Sequence, residues 1–208
     1  MKEYIIHGVY TDNLESILKD GFISINNKKK KVAQKMIPQE INQIFTQLIY
    51  RNIPNEKIQI PHWGNYAIVL DKKILKDYPS CWIGGFSDKL NDAFLSEDDK
   101  VFVKTKGKLK RMPNLTKLKN IINNYLDNLF SYYFSDYARF MYSHEISFNK
   151  NIPLKKYCLC IIYSGEMEEI PQKIIELAKK LEIPIKNKSL EKDGDYRGIN
   201  NLIDIIEK

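Results

Sequence analysis

An α+β architecture in a single domain spanning residues 1–208 is what this sequence predicts, and three observations lead there. Short apolar runs of strand length, such as Tyr4–Ile6, Tyr66–Leu70 and Tyr157–Tyr163, are scattered from one end of the chain to the other. Between them lie segments with helical spacing of apolar residues, the longest being Leu115–Phe134. The two kinds do not alternate in a regular βαβ rhythm, and no glycine-rich phosphate loop follows a strand, which disfavours a doubly wound parallel sheet.

The first element is the strand Tyr4–Ile6, ending at His7-Gly8. Asp12 with Glu15 three residues later has the form of a capping box, opening a helix whose apolar stripe is Leu14, Ile17 and Leu18. Gly21 suits a left-handed helix stop, and Phe22–Ile25 reads as extended. After the lysine run Lys28–Lys31, the stretch Pro38–Tyr50 carries Ile41, Ile44, Phe45, Leu48 and Ile49 at helical spacing, which predicts a second helix. Asn52–Gly64 is loop-like, with Pro54, Pro61 and Gly64, and holds His62-Trp63.

Tyr66–Leu70 predicts a buried strand and Lys72–Lys76 a helical turn behind it. Cys81–Phe86 is small and aromatic, and Val101–Val103 has strand character. In Leu115–Phe134 the inward stripe is Leu118, Ile121, Ile122, Tyr125, Leu126, Leu129, Phe130 and Tyr133. Glu145–Phe148 and Tyr157–Tyr163 predict strands on either side of a loop containing Pro153. Pro171 is placed to start a helix through Leu181 with Ile174, Ile175 and Ala178 inward. A short strand Ile183–Ile185 and a last apolar helix Ile199–Ile206 complete the chain.

Composition bounds the function classes. With 208 residues, 43% hydrophobic and 28% charged, the chain can bury a substantial core and does not have a disordered composition. No apolar run approaches the roughly 20 residues of a membrane span. The sequence shows no signal peptide, so an intracellular, cytoplasmic setting without membrane contact is expected. Cys81, Cys158 and Cys160 fit a reducing compartment. Two-residue spacing puts the last two on one strand face as packed thiols, and no Cys/His group has metal-ligand spacing. A net charge of +7 and pI near 9.1 favour polyanionic partners. The best phosphate-facing candidates are Lys104, Lys106, Lys108, Lys110 and Arg111, whereas Lys28–Lys31 reads as a solvated loop.

The familiar catalytic signatures are missing. There is no phosphate-binding GxxxxGK[ST], no GxSxG elbow, no HExxH and no GxGxxG after a strand. His7 and Glu145 remain, with a set of aromatics. A carboxylate opening a strand is costly if buried and unpaired, and its chemical use is to stabilise positive charge, as at the oxocarbenium-like transition state of glycosidic cleavage. His7 can hold a ribose hydroxyl or a carboxamide by hydrogen bonding, Gly8 permits close approach of a ligand to the backbone, and Trp63, Tyr66 or Phe86 can stack on a leaving base.

These residues resemble a family. His7-Gly8, Asn13-Leu14, Ile17-Leu18 and Gly21-Phe22 are similar to the first motif of the ADP-ribosyltransferase fold, a strand ending in His-Gly followed by N-L-x-x-I-L-x-x-G. His144-Glu145-Ile146-Ser147-Phe148, Ile152-Pro153-Leu154 and Tyr157–Tyr163 are similar to its last motif, where the catalytic glutamate opens a strand. Gly64–Leu70 and Pro171–Ile185 resemble DarT-like and abortive-infection relatives of that fold. The resemblance implies two small split sheets with flanking helices around a cleft, and NAD as the cofactor-substrate. It also implies nicotinamide release with transfer of ADP-ribose to protein or nucleic acid. Glu145 is then the catalytic carboxylate and His7 the contact to the nicotinamide-side ribose. Both Phe86-Ser87, with Ala93 beyond it, and Tyr66 compete for the middle motif.

Val9 stands where the family has threonine, and Ser143 stands where arginine-specific members carry glutamate, which disfavours arginine as acceptor. An inactive, basic binding module built on the same fold is the main alternative. A hydrolase using His144 as base lacks a visible second catalytic group.

Overall fold

A computed structural model describes residues 2–22, 44–51, 65–78, 80–84, 106–109, 114–132, 144–148, 150–187 and 199–208. Contacts divide the chain into two units, Met1–Phe22 with Leu48–Ile74 and Asn151–Lys208, and Ile23–Gln47 with Leu75–Lys150. Each unit is assembled from segments far apart in sequence. Both mix helices with largely antiparallel strands, so the fold is α+β.

In the first unit, β1 (Glu3–Val9) pairs antiparallel with β3 (Tyr66–Asp71), β3 antiparallel with β7 (Cys158–Tyr163), and β7 parallel with β8 (Ile185–Asn187). The strands are apolar on both faces because both faces are covered: Ile5, Ile6, Ile68 and Val69 have no exposed surface. On one face, Phe22, just beyond helix α1 (Thr11–Asp20), lies against His7. Leu14, Ile17 and Leu18 are the buried residues of α1, as its spacing predicts. Helix α1 packs beside α5 (Gln172–Lys180), and Lys173 reaches Glu15 at 2.7 Å.

Tyr4, Ile6 and Gly8 alternate to the opposite face, where Tyr4 Oη donates to Glu207 of α6 (Ile199–Glu207) at 3.2 Å. Lys186 Nζ donates to the Ile205 and Ile206 carbonyls at 3.1 and 2.9 Å, placing a cation where that helix leaves its carbonyls unpaired. Arg51 ties Asp204 and Glu207 to the end of β2 (Ile44–Tyr50) at 2.6 and 2.9 Å.

This strap has a pH signature. A hydrogen bond from Arg51 is the main cause holding the Glu207 carboxyl below its ordinary pKa; burial opposes it, and the weaker contribution of the Tyr4 hydrogen bond adds to the lowering. A depressed folded-state pKa stabilises the fold above the unfolded carboxylate's pKa of roughly 4.3, and the contribution is lost as pH falls through the folded value. The expected result is that the urea midpoint of Glu207→Gln falls less between pH 6 and the acid limit than that of the wild type; parallel curves would show the strap contributes nothing.

The second unit contains, in order across the sheet, β5 (Lys106–Leu109), β4 (Ser80–Gly84), β6 (His144–Phe148) and the first residues of β2, all antiparallel. Phe148 is opposite Ile44 on one side and Ser80 on the other and is fully buried. After the single helical turn α2 (Ile74–Asp77), helix α3 (Leu115–Tyr132) is capped by Asn114, whose Oδ1 accepts from Lys117 N at 3.1 Å.

Several expectations are corrected. Ile44–Tyr50 is a strand, not part of a helix; its buried β-branched and aromatic residues fit either period, and pairing with β6 decides. The Asp12–Glu15 capping box does not form. Helix α1 begins at Thr11 after Tyr10 with no side-chain cap, and Glu15 turns to Lys19 and Lys173 instead. Ile121 is exposed on α3 while Leu118 and Ile122 are buried. Tyr157 ends a helical turn, α4 (Leu154–Tyr157), and β7 starts at Cys158. The last short strand begins at Ile185 rather than Ile183.

The pairing of β3 with β7 shifts between Val69 and Leu70, so Cys160 is opposite Val69 and Cys158 opposite Leu70, residues of alternate faces. Two-residue spacing therefore does not give the thiols a common face. Both are free, and burial raises both pKa values, that of Cys160 to about 11. Val101–Val103, Asn52–Gly64 and the aromatics Tyr133–Tyr142 lie outside the described residues.

Candidate functional site

His7 is an interior residue of β1 rather than its terminus. It is opposite Ile68, and the strand continues to Val9. Its ring meets Phe22 edge to face, centroids 4.9 Å apart and planes 87° apart. Phe22 is held there by two backbone hydrogen bonds with Ile152, at 3.0 and 2.9 Å, and by the turn at Gly21 that precedes it. The glycine stop read from sequence therefore also aims an aromatic at the candidate histidine. His7 is half-buried in a strand whose Ile5 and Ile6 are fully buried.

Tyr66 shares the His7 face. Val9 is opposite Tyr66, and Tyr66 is opposite Tyr163 across β3 and β7. The two tyrosine rings are 4.7 Å apart at a 33° tilt. Tyr66 is 2% exposed, and its hydroxyl has no hydrogen-bond partner among the described residues. Burial raises its pKa, a nearby Thr11 side chain offsets part of that without completing a hydrogen bond, and the charge of Glu169 adds to the rise. A buried hydroxyl without a partner costs about 1–3 kcal/mol, which a phenylalanine would avoid. The Tyr163 hydroxyl, by contrast, donates to Glu169 Oε2 at 2.9 Å; burial first, and that carboxylate second, push its pKa up to about 12.

The structure thus brings His7 and Tyr66 to one face of β1 and β3, whereas Gly8, opposite Ala67, belongs to the other face. Glu145 belongs to the second unit, in β6 opposite Ile83, and His144 is opposite Gly84. Phe86, Ser87, Trp63, Lys104, Lys110 and Arg111 lie outside the described residues. Lys106 and Lys108 are on β5, opposite Ile83 and Cys81, and the two-residue spacing gives them a common face. Sequence reasoning missed Tyr163, Glu169 and Thr11. The signal was faint: an aromatic at the end of an apolar strand, a Ser-Gly turn, then the acidic run Glu166, Glu168 and Glu169.

Among the described residues no group of three or more His, Cys, Asp or Glu could hold a metal ion, and no helix is long and apolar enough to cross a membrane. No family model and no curated protein matches this chain. One solved structure similar to it is that of Thermosipho africanus DarTG in complex with ADP-ribose, at 17% identity and a TM-score of 0.42. The similarity covers 88% of this chain and 49% of that one, so the chain spans about half the length of the structure it matches.

Proposed function

We propose that this chain, read as one domain, binds NAD and transfers ADP-ribose from it with release of nicotinamide. Glu145 stabilises the oxocarbenium-like transition state, His7 and Gly8 receive the nicotinamide-side ribose, and Tyr66 lines the nicotinamide position, with Phe86-Ser87 in the middle motif as the competing assignment. The observation that carries the reading is the shared face of His7 and Tyr66. Two polar aromatics sit in otherwise apolar strands, one half-exposed and the other with an unpartnered hydroxyl, where folding alone favours aliphatic residues. The order of motifs along the chain supports it: strand, helix and glycine stop around His7, then a strand opening at His144-Glu145, a turn and a further strand.

Incubation with NAD below its saturating concentration and measurement of nicotinamide release, for wild type, His7→Ala and Glu145→Gln, tests the proposal. Release by the wild type that falls in both variants supports it. If the wild type neither binds NAD nor releases nicotinamide, the reading is wrong.

The acceptor in this proposal is nucleic acid, contacted by Lys104, Lys106, Lys108, Lys110 and Arg111. Two of these lysines share a face of β5, which supports the reading. Replacing Lys106 and Lys108 by alanine is expected to weaken single-stranded nucleic-acid binding and to reduce the log–log salt slope by about 1 per lost phosphate contact. An unchanged slope assigns the acceptor contact elsewhere.

A further inference from the structure

We infer that Glu169 and Tyr163 are a positioning pair for Tyr66, fixing the ring that stands on the His7 face; its functional half rests on the NAD reading above. Tyr163 is the direct cross-strand neighbour of Tyr66, and its ring covers one side of the Tyr66 ring at 4.7 Å. Its own hydroxyl is anchored to Glu169 Oε2 at 2.9 Å. Glu169 is exposed and ends the 3-10 turn Met167–Glu169, so an element at the surface holds a ring of the core.

The turn leading to Glu169 is tied down at both ends. Ser164 donates twice to the Asn65 carbonyl, from its backbone N at 2.9 Å and from Oγ at 3.1 Å, and Asn65 immediately precedes Tyr66. Gly165 follows. A Cβ built there would stand 2.6 Å from Tyr163 Oη and 2.7 Å from Glu169 Oε2, so a side chain at this position would push the phenol and the carboxylate out of their present places. The chain thus spends a glycine, a serine and a glutamate on holding Tyr163 against Tyr66. Held this way, the Tyr66 ring has one side covered by Tyr163, while nothing among the described residues bonds to its hydroxyl.

A hydrogen bond to a carboxylate is worth roughly a tenfold change in an equilibrium. Glu169→Ala is therefore expected to speed Tyr66 ring flips about tenfold, read by NMR on tyrosine-ring-labelled full-length protein, and to weaken NAD binding by a similar factor. Glu169→Gln, which keeps an acceptor oxygen, is expected to restore both. Tyr163→Phe, which removes only the hydroxyl, is expected to behave like Glu169→Ala and serves if the alanine variant does not fold. Ring flips unchanged in both Glu169→Ala and Tyr163→Phe overturn the pair. Ring flips that quicken while NAD affinity stays at the wild-type value overturn its functional half. A wild type that does not bind NAD defeats the NAD reading, and the ring measurement still decides the pair.

Discussion

Glu145→Gln is expected to lower the rate of nicotinamide release about 10²–10³-fold while leaving the urea midpoint where it is in the wild type. Loss of one charge or donor preorganised toward the developing transition-state charge typically costs about 2.7–4 kcal/mol of barrier. Glutamine keeps the shape of the side chain and one acceptor oxygen but removes the negative charge. A large effect on rate with little effect on stability therefore isolates the electrostatic role. Backbone pairing at this position, Glu145 opposite Ile83 in β6 and β4, is indifferent to the substitution. His7→Ala is expected to act differently, raising the NAD concentration needed for half-maximal rate, because a ribose contact binds ground and transition states alike. Full activity in Glu145→Gln would move the chemistry to another carboxylate.

Gly21→Ala is expected to be among the most destabilising single-methyl substitutions in the first unit. Gly21 has φ 75° and ψ −174°, a conformation open essentially to glycine, and strain of this kind costs about 1–3 kcal/mol by itself. A Cβ there would also lie 2.8 Å from the Ile152 carbonyl oxygen. That oxygen accepts from Phe22 N, so relief of the clash breaks the bridge that seats Phe22 against His7. Urea unfolding measures the first effect, and NAD affinity of the folded fraction measures the second. A midpoint unchanged from wild type would show that the turn relaxes freely.

The parts of the fold legible in the sequence were those set by local rules. Leu14, Ile17 and Leu18 recur with the helical period and are buried on α1. Tyr66–Leu70 is an apolar run of strand length and forms β3. Gly21 stops a helix because no other residue tolerates its backbone. The Ile44–Tyr50 segment was misread because a fully buried strand and a buried helical face have the same composition, and only the partner strand distinguishes them. The capping box failed for a related reason: Lys173, more than 150 positions away, competes for the Glu15 carboxylate that a cap would use.

For the candidate site, His7 and Tyr66 were nameable from sequence as polar aromatics in apolar surroundings. That they share a face was not, because the register of β1 on β3 is fixed by pairing along the whole strand, and a one-residue slip would put them on opposite sides. The tie from Glu169 through Tyr163 to Tyr66 joins residues on different elements and rests on distances of a few ångströms that no spacing rule encodes. By itself, then, this sequence determined the α+β mixture, the apolar stripes and the glycine stop, all consequences of periodicity and backbone sterics. Only the tertiary structure decided that Ile44–Tyr50 is extended, which face His7 presents, and what holds Tyr66, because long-range pairing and packing outweigh local preference wherever that preference is evenly balanced.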